Sequence, residues 1–197
     1  SYKLIDDMCN EYDLFKEMIS KSQILLTTNY DSFIEDSYNN ISKVPVKIYV
    51  GQKGFFQQTT GFAELYKIHG CISDSNSIVI TQRDYEKFNR DSILISAKII
   101  SMLLNSPIIF IGYSLKDMNV RKIIKDFTSS LTNEELFRLE KRLIVIEWEQ
   151  GEDKIIEGVE NDPELGCRFT TIRTNNYSQI YNKIKQINQG VSPAEIR

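Results

Sequence analysis

The amino-acid sequence predicts an α/β fold: a doubly wound, Rossmann-like parallel sheet with helices on both faces and no zinc module. First, several short apolar runs are continuous rather than alternating, which is typical of strands buried on both faces. Second, segments with helical apolar periodicity separate these runs. Third, polar residues follow the points where apolar runs stop. Open parallel sheets bind ligands outside the carboxyl ends of their strands.

The composition indicates an ordinary globular chain, which we treat as a single domain over residues 1–197. Apolar residues make up 41% of the sequence and charged residues 26%. A net charge of -3 gives no basic field, so no nucleic-acid partner is expected. No apolar run reaches the roughly 18 residues that would span a bilayer, so no membrane partner is expected either. Cys9, Cys71 and Cys167 are widely spaced, which argues against a disulfide framework or a structural zinc site and favours a cytoplasmic location.

The first half of the chain is predicted to alternate helices and strands. Apolar positions such as Leu14 and Met18 favour a first helix, and Asp31 suits the start of a short second one. The four residues 51–54, with glycine at both ends, suggest a hairpin turn. The predicted elements are a helix over 4–20, strands over 23–28, 46–50, 55–58, 63–68 and 77–80, and a short helix over 31–36.

The second half repeats the alternation. The segment 93–104 is apolar almost all round, which predicts a helix buried on several sides. A second helix, with Asp117 as its cap, carries the core stripe of Val120, Ile123, Ile124 and Phe127. Strands are predicted over 108–111, 143–146 and 168–173, and a last helix carries Tyr177, Ile180, Tyr181 and Ile184. Neither G-x-G-x-x-G nor G-x-x-x-x-G-K-[ST] occurs, so no pyrophosphate-binding loop is visible.

Four strand ends carry residues suited to chemistry: the segment 27–31 (Thr-Thr-Asn-Tyr-Asp), His69-Gly70, Gly112-Tyr113-Ser114 and Glu147-Trp148. Amide, imidazole and hydroxyl groups can orient the hydroxyls of a nucleotide sugar. Together with 66–70 (Tyr-Lys-Ile-His-Gly) and 110–117 (Phe-Ile-Gly-Tyr-Ser-Leu-Lys-Asp), these motifs resemble the sirtuin-like domains of bacterial defence proteins, which consume NAD.

Two departures from that family shape the expectation. The family's Gly-Ala-Gly-x-Ser loop, which holds the cofactor's phosphates, is not present, and we expect the chain to begin after it. The four-cysteine zinc module of the sirtuin deacylases is also missing from these three cysteines. The resemblance is therefore to the zinc-less, NAD-hydrolysing branch.

The resemblance implies a catalytic role for three residues. His69 would be the base that acts on a ribose hydroxyl or water, Asn29 would orient that group, and Asp31 would be an acidic partner near the nicotinamide ribose. The alternatives are a purely structural histidine and, for Asp31, a helix cap.

Cofactor contacts are expected at five further positions. Thr28 and Gly70 would line the site, Gly112 would let the backbone approach the ligand, and Ser114 would offer a hydroxyl. Glu147 would accept hydrogen bonds from the adenosine ribose. The alternative for Gly112 and Ser114 is an ordinary strand-to-helix turn, and for Asp117 we expect only a cap.

The function expected from the resemblance is an NAD glycohydrolase that releases nicotinamide and ADP-ribose as the effector of an anti-phage system. NAD is then the substrate, no metal is needed, and a homo-oligomer with fused or associated defence domains is the expected assembly. One alternative is a non-catalytic module that binds NAD or ADP-ribose. Another is an NAD-dependent protein deacylase, which the missing zinc module disfavours.

Overall fold

The computed structural model describes residues 8–51, 54, 57–84, 86, 93–112, 115 and 117–187. They fall into two compact units, the described parts of 1–95 with 177–197 and of 96–176. The helices are α1 (Cys9–Lys21), α2 (Phe33–Ile41), α3 (Ile93–Asn105), α4 (Met118–Thr128), α5 (Asn133–Glu140) and α6 (Tyr177–Gln186). The strands are β1 (Ile24–Thr27), β2 (Lys47–Val50), β3 (Glu64–Lys67), β4 (Ile108–Ile111), β5 (Leu143–Trp148), β6 (Ile156–Asp162) and β7 (Cys167–Thr174).

The first unit contains a three-stranded, fully parallel sheet in the order β1-β3-β2. The central strand β3 is buried along its whole length, so two charged residues lie inside the sheet. Glu64 is one of them, and its Oε1 accepts hydrogen bonds from the backbone N–H groups of Thr60, at 2.5 Å, and Gly61, at 2.8 Å. Its Oε2 accepts the Tyr66 hydroxyl at 2.7 Å. These donors replace the water that a buried carboxylate loses.

Helices α1, α2 and α6 pack through aromatic side chains in the same unit. The Phe15 ring of α1 lies 5.7 Å from Phe33 of α2 and 5.6 Å from Tyr181 of α6, centroid to centroid. A Lys185–Glu17 ion pair of 2.7 Å adds a polar link between α6 and α1. Rings at this spacing add to the free energy of burial, so they hold the three helices together.

The second unit contains a four-stranded sheet in the order β4-β5-β7-β6. Strands β4, β5 and β7 are parallel, and β6 joins β7 as an antiparallel edge. On α4, Val120, Ile123 and Ile124 are buried, which confirms three positions of the predicted core stripe, and Phe127 is partly buried. The predicted α/β class is confirmed, since parallel pairing dominates both sheets and helices flank them. The assignment of 1–197 to a single domain stays a prediction.

Three local predictions are wrong. Strand β2 pairs in parallel with β3, and residues 57 and 58 of the predicted partner strand are not in a strand. Residues 52, 53, 55 and 56 of the predicted hairpin lie outside the described residues. The predicted strand over 77–80 is instead the end of a 3-10 turn over 75–77 followed by irregular chain. The third is α3, which is buried along one face only: Ile93 is 72% exposed while Ile99 is 4% exposed.

Within the described residues, no helix combines the length and the apolar character needed to cross a membrane.

Candidate functional site at the ends of β1 and β3

The carboxyl ends of β1 and β3 lie side by side. The two strands are parallel neighbours, with Thr27 opposite Lys67 at their last positions. The pairing continues one residue further, because Ile68 N–H donates to Thr27 O at 2.9 Å. The segment that begins at Thr28 and the segment that begins at His69 therefore leave the sheet at the same edge, as the sequence predicts.

Three hydrogen bonds fix these segments to each other. The N–H of Ile72 donates to Tyr30 O at 2.8 Å, and the Tyr30 hydroxyl donates to Val79 O at 2.7 Å. The N–H of Val79 in turn donates to His69 O at 2.9 Å. A closed circuit thus links the chain after β1, the chain after β3 and the stretch that returns at Val79. The candidate site has a well-defined backbone frame.

His69 is 2% exposed, so its imidazole is enclosed by protein. A bound ribose cannot touch an imidazole in that position. A catalytic role for His69 therefore requires that side chains or the 71–80 segment shift when the substrate binds. The base role stays a prediction.

Gly70 is required by the local packing. Its φ is +106°, a backbone conformation outside the left-handed well used by other residues. A Cβ at this position would lie 2.3 Å from Ser77 O and 2.8 Å from Ile78 Cα. The glycine therefore lets the turn after His69 press against the returning chain. Its role as a cofactor contact stays a prediction.

Asn29 and Thr28 lie on the accessible side of the β1 end. Asn29 is exposed and its backbone N–H donates to Thr27 Oγ1 at 3.1 Å, while Thr28 is partly buried. Because Asn29 is exposed, a ligand can reach it. Both residues have the placement that a contact with a sugar hydroxyl needs, and their roles stay predictions.

Asp31 contributes to the start of α2. Its Oδ1 accepts the N–H of Phe33, the first residue of the helix, at 3.0 Å, and Ser32 at the N-cap position makes no side-chain cap. The capping function considered from the sequence is thus present. The catalytic function stays a prediction, because one carboxylate oxygen remains for another partner.

A buried cluster behind the two loops was missed at the sequence level. Lys67 is 0% exposed, and its ammonium lies 2.5 Å from Glu35 Oε1 on α2 and 3.4 Å from Cys71 Sγ. It also donates to the backbone carbonyl of Asp31. The available signal was a lysine in a segment predicted to be a buried strand, because a buried charge requires partners.

Cys71 is itself buried and accepts a hydrogen bond from Ser73 Oγ at 3.1 Å. Burial acts to raise the pKa of its thiol, but hydrogen bonds from Ser73 and Lys67 and the charge of Lys67 outweigh that effect, so the pKa lies below its ordinary value. The Ser73 hydroxyl and the Lys67 ammonium therefore both direct donors at the sulfur.

The remaining predicted contacts belong to the second unit. Gly112 is exposed, has φ +66° and has open space where a Cβ would be, and Ser114 lies outside the described residues. Glu147 Oε2 is 3.1 Å from Arg173 Nε, its partner on the neighbouring strand, so its carboxylate already makes a cross-strand ion pair. Its contact with an adenosine ribose stays a prediction, as do those of Gly112 and Ser114. Asp117 is confirmed as a cap, because it accepts the N–H groups of Asn119 and Val120.

Arg121 supports the chain that follows β4 in this unit. Its Nη1 donates to Leu115 O at 3.2 Å, and its Nη2 pairs with Asp162 at 2.9 Å and Glu164 at 2.8 Å. Burial acts to raise the Asp162 pKa, but hydrogen bonds from Leu165 and Arg121 lower it overall. Arg121 therefore links α4 and the loop before it to the end of β6 and the turn that follows β6.

The residues that the structure describes contain no group of three or more histidine, cysteine, aspartate or glutamate side chains arranged to hold a metal ion.

The chain is similar in sequence to known proteins. Several bacterial relatives carry the name NAD(+) hydrolase ThsA, and three of them show the range of similarity. The protein from Enterococcus faecium is 37% identical over 105 residues, which is 51% of this chain and 21% of the relative. The protein from Cytobacillus dafuensis is 33% identical over 99 residues, 50% of this chain and 20% of the relative. The protein from Bacillus cereus (strain MSX-D12) is 26% identical over 104 residues, which is 53% of this chain and 22% of the relative.

The matched segments thus amount to about a fifth of the relatives' own length. The family profile described as SIR2-like domain matches residues 23–163, which is more than half of the chain and includes β1, β3 and the loops that follow them. By the extent of that match, this chain belongs to the SIR2-like domain family.

Proposed function

We propose that this chain is the NAD-binding and NAD-hydrolysing domain of an anti-phage effector, which cleaves NAD to nicotinamide and ADP-ribose. The observation that carries the proposal is the shared sheet edge at which Asn29 and His69 leave β1 and β3. The names of the relatives, which are NAD(+) hydrolases, supply the substrate and the reaction class.

The chemistry needs few groups. Breaking the nicotinamide–ribose bond develops an oxocarbenium-like sugar, as in glycoside hydrolysis. The nicotinamide leaves as a neutral molecule from a cationic state, so it needs no proton from an acid. The protein has to orient the ribose, position a water and accept a proton from that water or a sugar hydroxyl. No step in this scheme uses a metal.

In this proposal Asn29 orients the water or ribose hydroxyl, since a carboxamide both donates and accepts hydrogen bonds. His69 accepts the proton once the site has opened around it. Asp31 faces the nicotinamide ribose with the carboxylate oxygen that does not bind Phe33 N–H. Thr28 and Gly70 are proposed NAD contacts in the first unit, and Gly112, Ser114 and Glu147 are proposed NAD contacts in the second.

One observation favours a second candidate. The enclosure of His69 suits a module that binds NAD or ADP-ribose through exposed groups such as Asn29 and does not cleave it. That module would retain intact NAD and release no nicotinamide under any activating condition. Release of nicotinamide therefore distinguishes the two candidate functions.

The test uses the full-length protein incubated with NAD, with nicotinamide measured by chromatography. His69→Ala and Asn29→Ala should each lower turnover at least about a hundredfold, the lower range for loss of a general base. Asn40→Ala is the matched control, because Asn40 is an exposed asparagine on α2 of the same unit. Undiminished turnover in both site variants would exclude the two residues from the mechanism.

The proposal also covers the location and the assembly of the protein. We place it in the cytoplasm, where the NAD pool of the cell is available, and in a homo-oligomer with fused or associated defence domains. Size-exclusion chromatography with light scattering on the full-length protein tests the assembly.

A further inference from the structure

We propose that the Lys67 ammonium is a positioning group that holds the two catalytic loops of the candidate site in register. These loops are residues 28–31 after β1 and residues 69–72 after β3. The inference rests on the proposed function for its catalytic meaning. Its structural part rests on contacts alone and is tested independently of NAD.

Lys67 reaches three separate parts of the fold. Its ammonium contacts the Asp31 carbonyl after β1, Glu35 on the first turns of α2 and Cys71 after β3. An ammonium has three N–H donors, so these three acceptors use its full capacity. Because the side chain is 0% exposed, water does not compete for the donors.

These contacts lie close in sequence to the proposed catalytic residues. His69 lies two residues after Lys67 and two before Cys71, so the Lys67–Cys71 contact bridges the short segment that carries the imidazole. On the other loop, the Lys67–Asp31 contact fixes the backbone two residues beyond Asn29. One ammonium therefore fixes both the His69 segment and the Asn29 segment.

The Glu35–Lys67 pair is better suited to placement than to net stability. Both side chains are removed from water, and Glu35 Oε2 is buried with no hydrogen-bond partner among the described residues. A buried ion pair with an unsatisfied oxygen gains little over a well-packed apolar pair. What it supplies is directionality, because each contact is satisfied only when both loops lie where they do.

The test replaces the pair with apolar residues in the full-length protein, as the double variant Lys67→Met/Glu35→Met. Removing both charges avoids leaving one uncompensated, so the protein should still fold. The matched control is Lys185→Met/Glu17→Met, which removes a Lys–Glu ion pair of 2.7 Å between α6 and α1. That control pair contacts neither catalytic loop.

The first readout is amide hydrogen exchange, which needs no activity. In the Lys67/Glu35 variant, the amides of Ile68 and Ile72, which bond to Thr27 and Tyr30 across the two loops, should exchange at least about tenfold faster than in the wild type. In the control they should exchange as in the wild type. Exchange within twofold of wild type in both variants overturns the proposal.

The second readout compares the change in kcat with the change in KM. In a wild type that cleaves NAD, the Lys67/Glu35 variant should lose about a hundredfold in kcat, the scale of a 1 Å misplacement of reacting groups, while KM changes less than threefold. Wild-type kcat in that variant overturns the positioning role. A wild type that releases no nicotinamide contradicts the proposed function instead, and the exchange result then decides the structural part alone.

Discussion

The turn after His69 offers the sharpest test of how the site is built, through Gly70→Ala. The added Cβ would lie 2.3 Å from Ser77 O, 2.6 Å from Ser77 C and 2.8 Å from Ile78 Cα. All three are backbone atoms, so no side-chain rotation relieves the overlap. Ordinary carbon contacts are about 3.5–4 Å, so the two chain segments must separate by roughly 1 Å.

The expected loss of unfolding free energy has two parts. A non-glycine residue at φ +106° is strained by about 1–3 kcal/mol. Forcing an extra methyl into close-packed backbone adds about 1–3 kcal/mol. Together they give about 2–6 kcal/mol, a large part of the ~5–15 kcal/mol that holds a typical domain folded.

Gly61→Ala is the matched control. Gly61 lies in the same unit, also has a positive φ of +75°, and has no atom within 4 Å of an added Cβ. It should lose only the conformational part, about 1–2 kcal/mol. The assay is urea unfolding of both variants and the wild type. If Gly70→Ala unfolds within 0.5 kcal/mol of Gly61→Ala, a margin of roughly the measurement error, the packing argument for Gly70 is wrong.

Two further predictions concern carboxylates. Asp31→Asn keeps an oxygen that accepts the first N–H of α2, so the melting temperature should stay within about 2 °C of wild type, whereas NAD turnover should fall at least about tenfold if Asp31 also serves the ribose; unchanged turnover would leave it only a cap. Arg121→Leu should lower the unfolding free energy by about 1–3 kcal/mol at pH 7. Because the folded-state pKa of Asp162 is lowered, its contribution is present above its unfolded-state pKa of about 3.9 and is lost as the pH falls through the folded value. Urea unfolding at pH 7 and pH 3 should therefore show the Arg121 effect shrinking at the lower pH, and an equal effect at both would contradict the linkage.

The sequence predicted the parallel part of the fold well because buried parallel strands have a simple signature. Strands such as β4 are continuous apolar runs, and no other common element of that length has the same pattern. The edge strand β6 was missed because its apolar residues Ile156 and Val159 are separated by charged and polar ones and are about half exposed. An antiparallel edge carries a weaker pattern than a buried strand.

The hairpin error shows a different limit. The glycines at the two ends of the segment 51–54 are ordinary turn residues, and local chemistry favoured a connection between neighbouring strands. The actual partner of β2 is β3, which follows it in the chain and runs parallel to it. Which strand a run pairs with depends on the packing of the whole sheet, and turn residues carry no information about that.

The same reasoning explains why the candidate site was only half visible in the sequence. Strand-end residues such as Asn29 and His69 stand out because a polar group interrupts an apolar run. Lys67 and Glu35 do not, since each is one charged residue among many, and their meaning comes from contacting each other in the interior at 2.5 Å. A charge inside a buried strand nevertheless requires a counter-charge and acceptors from elsewhere in the fold. Such a residue therefore joins distant segments, and Lys67, two positions before the proposed catalytic histidine, joins the segments that follow β1 and β3.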